Sequence, residues 1–157
     1  SRSEEGFLMG NPDAPVKLVE YASLTCPHCR DFSMQASAPL KNTYIRSGQV
    51  SYEFRNFVLN APDAAATMLT RCLQPSAFFR TTEQLFEQQQ EWLAKIDDQE
   101  AQRIQTLPQQ QQIAALARAM ELDTFFARRG LPESQFNQCV SDQAAAQRLA
   151  QLNQQAM

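Results

Sequence analysis

The sequence predicts an α/β fold followed by a large all-helical part, and three observations carry that reading. An apolar run, "VKLVEYAS", leads straight into a helix-forming stretch. A second, alternating and aromatic-rich run, "QVSYEFRNFVLN", follows it. From Ala61 onward the chain is rich in Ala, Gln and Leu, with breaks at Pro75, Pro108, Gly130 and Pro132.

Composition sets the outer bounds. With 157 residues, 43% of them hydrophobic and 20% charged, the chain has enough apolar surface for a packed core. Its net charge of -3 supplies no broad basic face for nucleic acid. No apolar run approaches the ~18 residues that a membrane span needs. The opening "SRSEEGFLMGNPDAPVKLVEY" lacks the basic and apolar regions of a signal peptide, which suits a mature secreted protein and a cytosolic one alike.

After the turn signal "GNPDAP", residues 16 to 23 read as a strand buried on both faces. Thr25 is placed to cap a helix opening at Cys26, with Pro27 in the first turn, where a missing N–H costs nothing. That helix runs through "RDFSMQASAPLKNTYIRS" to Gly48, and Pro39 inside it predicts a kink. A second strand is expected at about 50 to 58, parallel to the first because the crossover is a long helix. The remainder reads as a helical bundle. Its apolar stripes, Phe78, Phe79, Leu85, Phe86, Trp92 and Leu93 in one set and Ile113, Leu116, Ala117 and Met120 in another, are expected to be core. The glutamine runs at 88–90 and 109–112 lie inside helix-forming segments and read as solvated faces.

The chemistry concentrates in "EYASLTCPHCRDFS". A cysteine at a helix start faces unpaired N–H groups and the positive end of the helix dipole, and both favour the thiolate that attacks disulfides. Cys26 therefore reads as an outer nucleophile and Cys29, one turn later, as a more buried resolving thiol. Pro27 fixes the turn between them, and His28 can add positive charge or donated hydrogen bonds near the Cys26 sulfur. Stabilising the thiolate favours the reduced pair and so makes its disulfide a stronger oxidant. A zinc site competes poorly, because His28 is the only histidine and the other cysteines, 72 and 139, are unclustered. A purely structural bond between 26 and 29 is the other alternative. Cys72 and Cys139, in "MLTRCLQ" and "SQFNQCV", would be buried free thiols in the cytosol and are expected to form a structural disulfide in an oxidising compartment. Glu20, in the apolar strand, is either a raised-pKa acid that relays protons to the thiols or an outward-facing strand-end residue. Arg55 could partner Glu20 but is read as pointing to solvent, and Arg30 with Asp31 as surface residues at the rim.

"APVKLVEYASLTCPHCRDFS" resembles the first strand and active-site helix of the DsbA-type thiol:disulfide oxidoreductases, whose typical motif is Cys-Pro-His-Cys. The resemblance continues through "VSYEFRNF", "LFEQQQEW" and "FNQCVSD". It implies a thioredoxin-like fold with a large inserted helical domain: residues 1–60 the N-terminal part of the thioredoxin-like domain, 61–157 the insertion leading back towards it. Carried over, Cys26 is the nucleophile, Cys29 the resolving thiol, Pro27 and His28 the tuning dipeptide, and Glu20 the acidic residue the family keeps in that strand. The implied activity is donation of a disulfide to reduced, unfolded secreted proteins, outside the cytoplasm or in the periplasm, with reoxidation by a membrane partner of DsbB type. No metal or organic cofactor is implied beyond the cysteine pair. A reductase or isomerase on the same fold, or a non-catalytic chaperone-like module, are the alternatives. A family member returns after the insertion to a strand preceded by a cis-proline, a hairpin and a final helix. This chain ends at "LNQQAM", so that C-terminal part, with most of the substrate groove, is expected to lie outside the sequence. The sheet read from the residues present has two strands.

Overall fold

The computed structural model describes residues 1–157 and builds a three-stranded sheet with helices packed against it. Strand β2 (Val16–Ala22) pairs in parallel with β3 (Val50–Asn56) from Val16 opposite Val50 to Ala22 opposite Asn56. On the other side of β3, β1 (Phe7–Met9) runs antiparallel, with Phe7 opposite Phe54. The sequence predicts only two strands. "FLM" is too short to show alternation, and its extended state comes from pairing with β3.

The apolar run of β2 was expected to be covered on both faces, and it is not: Val16 is 55% exposed and Tyr21 47%. The order β1-β3-β2 leaves β2 at the edge, and β2 packs extensively on β3 alone, so no helix layer covers its faces. An apolar run records what a strand can bury; its neighbours in space decide what is buried.

Helix α1 (Pro27–Pro39) begins one residue later than predicted, with Pro27 at its first position and Cys26 as the extended N-cap residue. Thr25 does not cap it. Its hydroxyl lies 3.1 Å from Ser23 Oγ and accepts from Asn60 Nδ2 at 3.0 Å. At Pro39, where a kink was expected, the helix widens into a π-helical stretch, Leu40–Ile45, because proline offers no N–H to the preceding turn. Gly48 closes the segment at φ +83°, a conformation that favours glycine.

The helical part follows: α2 (Ala61–Arg71), α3 (Pro75–Glu87), α4 (Gln89–Leu93), α5 (Asp98–Gln105), α6 (Gln109–Ala119), α7 (Leu122–Ala127), α8 (Glu133–Val140) and α9 (Gln143–Ala156). Asn60, Asp97 and Asp142 cap α2, α5 and α9 with their side chains. The aromatic stripe on α3 is core, as its spacing suggested. Phe78 stacks on Phe7 with ring centroids 3.6 Å apart, meets Phe54 edge-on at 5.7 Å, and so joins sheet to bundle. One core runs without a break from Phe7, Ala22 and Phe54 through Phe78 and Phe86 to Phe126 and Phe136. Cys72, at the end of α2, is disulfide-bonded to Cys139 in α8, with Cα atoms 6.3 Å apart.

Candidate active site

The parallel pairing of β2 and β3 carries the chain to the carboxyl end of β2, where the turn Ser23–Leu24–Thr25 delivers Cys26 to the start of α1. Cys26 and Cys29 are both free thiols, partly exposed, and chemically unequal. The backbone N–H of Cys29 holds the Cys26 thiol below its ordinary value of 9.0, helped by the Cys29 thiol and the N–H of His28. Partial burial and the carboxylate of Asp63 act against that shift. Burial pushes the Cys29 thiol up to about 11; the neighbouring Cys26 and Glu20 push the same way, against a backbone hydrogen bond from Ser23. The pair thus consists of one sulfur whose thiolate is favoured over that of an ordinary cysteine and one that holds its proton more tightly.

His28 contributes through its backbone N–H. Its ring is exposed and makes no hydrogen bond. Pro27 occupies the position that fixes the first turn. Glu20 is half-buried and accepts a hydrogen bond from Tyr52 Oη. Burial raises the Glu20 carboxyl above its ordinary value of 4.5, and the Tyr52 bond partly offsets that rise. Glu20 and Tyr52 line a cavity beneath α1 together with Phe32, Ser33 and Phe79.

Arg55 neither partners Glu20 nor points freely to solvent. It bridges Glu5 at 2.9 Å and Glu53 at 2.8 Å and donates to Tyr21 Oη at 2.7 Å, away from the thiols. Arg30 and Asp31 form a surface ion pair at 3.2 Å. No group of three or more His, Cys, Asp or Glu side chains stands close enough to hold a metal.

Two functional-site residues escaped the sequence reading. Asp63, in the first turn of α2, is fully buried. It accepts from Ser23 Oγ at 2.5 Å, from the N–H groups of Leu24 at 3.2 Å and Leu59 at 3.0 Å, and from Thr67 Oγ1 at 3.2 Å. Burial raises its carboxyl, and these donors oppose the rise. Gln89, read as part of a solvated run, is only 2% exposed and donates to the carbonyls of Leu24 at 2.8 Å and Cys26 at 3.1 Å. A signal existed for each. "NAPD" has capping-box spacing, and position 89 falls on the same helical stripe as Leu85, Phe86 and Trp92. Several apolar side chains are exposed, among them Phe32 at 43% beside the cavity of Glu20, Met34 at 60% further along α1 and Leu59 at 57% after β3.

The family model described as thioredoxin matches residues 2–157. Among solved structures, a protein-disulfide isomerase from Novosphingobium aromaticivorans superposes with a TM-score of 0.90 at 32% identity, covering 97% of this chain and 79% of that one. Wolbachia pipientis alpha-DsbA1 superposes at 0.78 with 26% identity, covering 99% and 69%. A Rickettsia bellii protein, named provisionally as a protein-disulfide oxidoreductase, is 32% identical over 90 residues, 57% of this chain and 35% of its own length. Disulfide bond formation protein D of Bacillus subtilis is 29% identical over 94 residues, 55% and 42% respectively. The matched stretch therefore spans less than half of each of these two curated relatives.

Proposed function

The chain belongs to the thioredoxin family, among its DsbA-type members, and from that premise we propose that it is the Cys26–Cys29 part of a thiol:disulfide oxidoreductase that donates disulfides to reduced secreted proteins. The observation that carries the reading is the inequality of the two thiols, Cys26 held low and Cys29 pushed up to about 11. In the oxidised protein a client thiolate attacks the Cys26 sulfur, the Cys26–Cys29 bond breaks, and its electron pair leaves on Cys29. Glu20, its carboxyl raised by burial, supplies the proton that Cys29 takes up. A second client thiolate then attacks the client sulfur of the mixed disulfide, and Cys26 departs as the stabilised thiolate. The client loses two electrons and gains a disulfide; the pair gains the two electrons. The cysteine pair is itself the electron carrier. Exposed Phe32, Met34 and Leu59 fit an unfolded, apolar client. An extracytoplasmic location and reoxidation by a membrane partner of DsbB type belong to the same proposal.

The isomerase name of the Novosphingobium structure favours a second reading, in which the reduced pair reshuffles wrong disulfides. Both readings use Cys26 as the nucleophile. Cys29→Ser should trap a client in a mixed disulfide at Cys26, and Cys26→Ser should trap none and abolish thiol oxidation. Oxidation that survives Cys26→Ser rejects the proposal. Full activity on scrambled disulfides with no net oxidation selects the second reading.

A further inference from the structure

Leu24 is held at both its N–H and its carbonyl by buried side chains of the helical part. Asp63 of α2 takes its N–H at 3.2 Å, and Gln89 of α4 donates to its carbonyl at 2.8 Å. A carboxamide nitrogen carries two hydrogens, and Gln89 uses the second on the Cys26 carbonyl at 3.1 Å. That same carbonyl accepts the first bond of α1, from the N–H of Arg30 at 3.1 Å. Gln89 therefore touches the peptide group on which α1 begins, 63 residues away in sequence. The groups that lower the Cys26 thiol belong to that first turn: the N–H of Cys29, the Cys29 thiol and the N–H of His28. How well they aim depends on how the Cys26 peptide is turned, and hydrogen bonding weakens steeply with misalignment.

The geometry points to Gln89 as a positioning residue that locks the Cys26 peptide against the first turn of α1, so that the helical part sets the thiol–disulfide equilibrium of the pair. Gln89 reaches neither sulfur and takes no part in the exchange. It acts through the backbone of Leu24 and Cys26. The inference rests on the redox reading of Cys26 and Cys29. A side chain that merely satisfied a buried carbonyl would affect stability and leave that equilibrium alone.

The test is the equilibrium of the full-length protein with glutathione, read beside the pH dependence of Cys26 alkylation. Q89M keeps the length of the side chain and removes both donors. Expected are a shift of at least about fivefold towards the disulfide form and a Cys26 that alkylates only at higher pH. Q89N keeps the amide but withdraws it by one methylene, and should shift both readouts the same way by a smaller factor, which keeps the test open if Q89M does not fold. Leu149→Ala, a buried change in α9 away from the turn, should lower stability without moving either readout. Folded Gln89 variants within about twofold of the wild-type equilibrium would overturn the inference while leaving the redox reading intact. A wild-type protein with no reducible Cys26–Cys29 couple would remove both.

Discussion

Removing the disulfide between Cys72 and Cys139 tests whether the two cysteine pairs divide into a structural and a reactive one. The bond closes a loop with a sequence separation of 67 residues. In the chain-entropy model such a loop restricts the unfolded ensemble by about 4 kcal/mol. Cys139 is buried at 8% exposure but Cys72 is exposed, so alanine at both sites deletes only one packed sulfur and the change acts mainly on the unfolded chain. For a chain of this size about 4 kcal/mol corresponds to a fall in Tm on the order of 10 °C. The assay is urea unfolding of the C72A/C139A variant without reductant, since a reductant would also open the pair at 26 and 29. The midpoint should fall and the m-value rise, because the freed chain exposes more surface on unfolding. Alkylation of Cys26 should be unchanged. A loss below about 1 kcal/mol with an unaltered m-value would refute the entropic argument. A changed Cys26 reactivity would refute the division of roles.

Three further outcomes are expected. Glu20 and Asp63 both have carboxyls raised by burial from ordinary values of 4.5 and 3.8, so the folded state binds more protons than the unfolded state just above those values. Their contribution is full below about pH 4 and is lost as pH rises through the raised values, a slope that Glu20→Gln or Asp63→Asn should flatten in unfolding measured across pH. Iodoacetamide should label Cys26 of the reduced protein below pH 9.0 and leave Cys29 unlabelled until near 11, and equal labelling of both at neutral pH would contradict the thiol assignment. Phe78→Ala, which removes the ring stacked between β1 and α3, should cost about 3–5 kcal/mol, and a cost near zero in denaturant would show that the sheet and bundle do not share that core.

The strand–helix–strand unit and the Cys26–Cys29 pair were legible because their signals are local: an apolar run, a proline one residue into a helix, two cysteines one turn apart. The helix breaks were legible for the same reason, and Pro75 and Pro108 do stand at the starts of α3 and α6. What was hidden depends on neighbours distant in the chain. Three residues of β1 become a strand only against β3, and β2 is bare because its extensive packing is with β3 alone and no helix layer covers it. Arg55 finds Glu5 and Glu53 on its own side of the sheet, a choice that spacing does not encode. A capping pattern and a glutamine run do not locally mark Asp63 and Gln89 as site residues, and only the fold shows both side chains closing on the turn before Cys26.

Whether Cys26 and Cys29 form a couple poised to give its disulfide away, as proposed, is read from the equilibrium of the full-length protein with a glutathione redox buffer, quantified by mass spectrometry of the alkylated cysteines. The unequal thiols predict a potential well above that of cytosolic thioredoxins, about -270 mV. A potential at or below that value would contradict the account and mark the pair as a reductant or a structural bond.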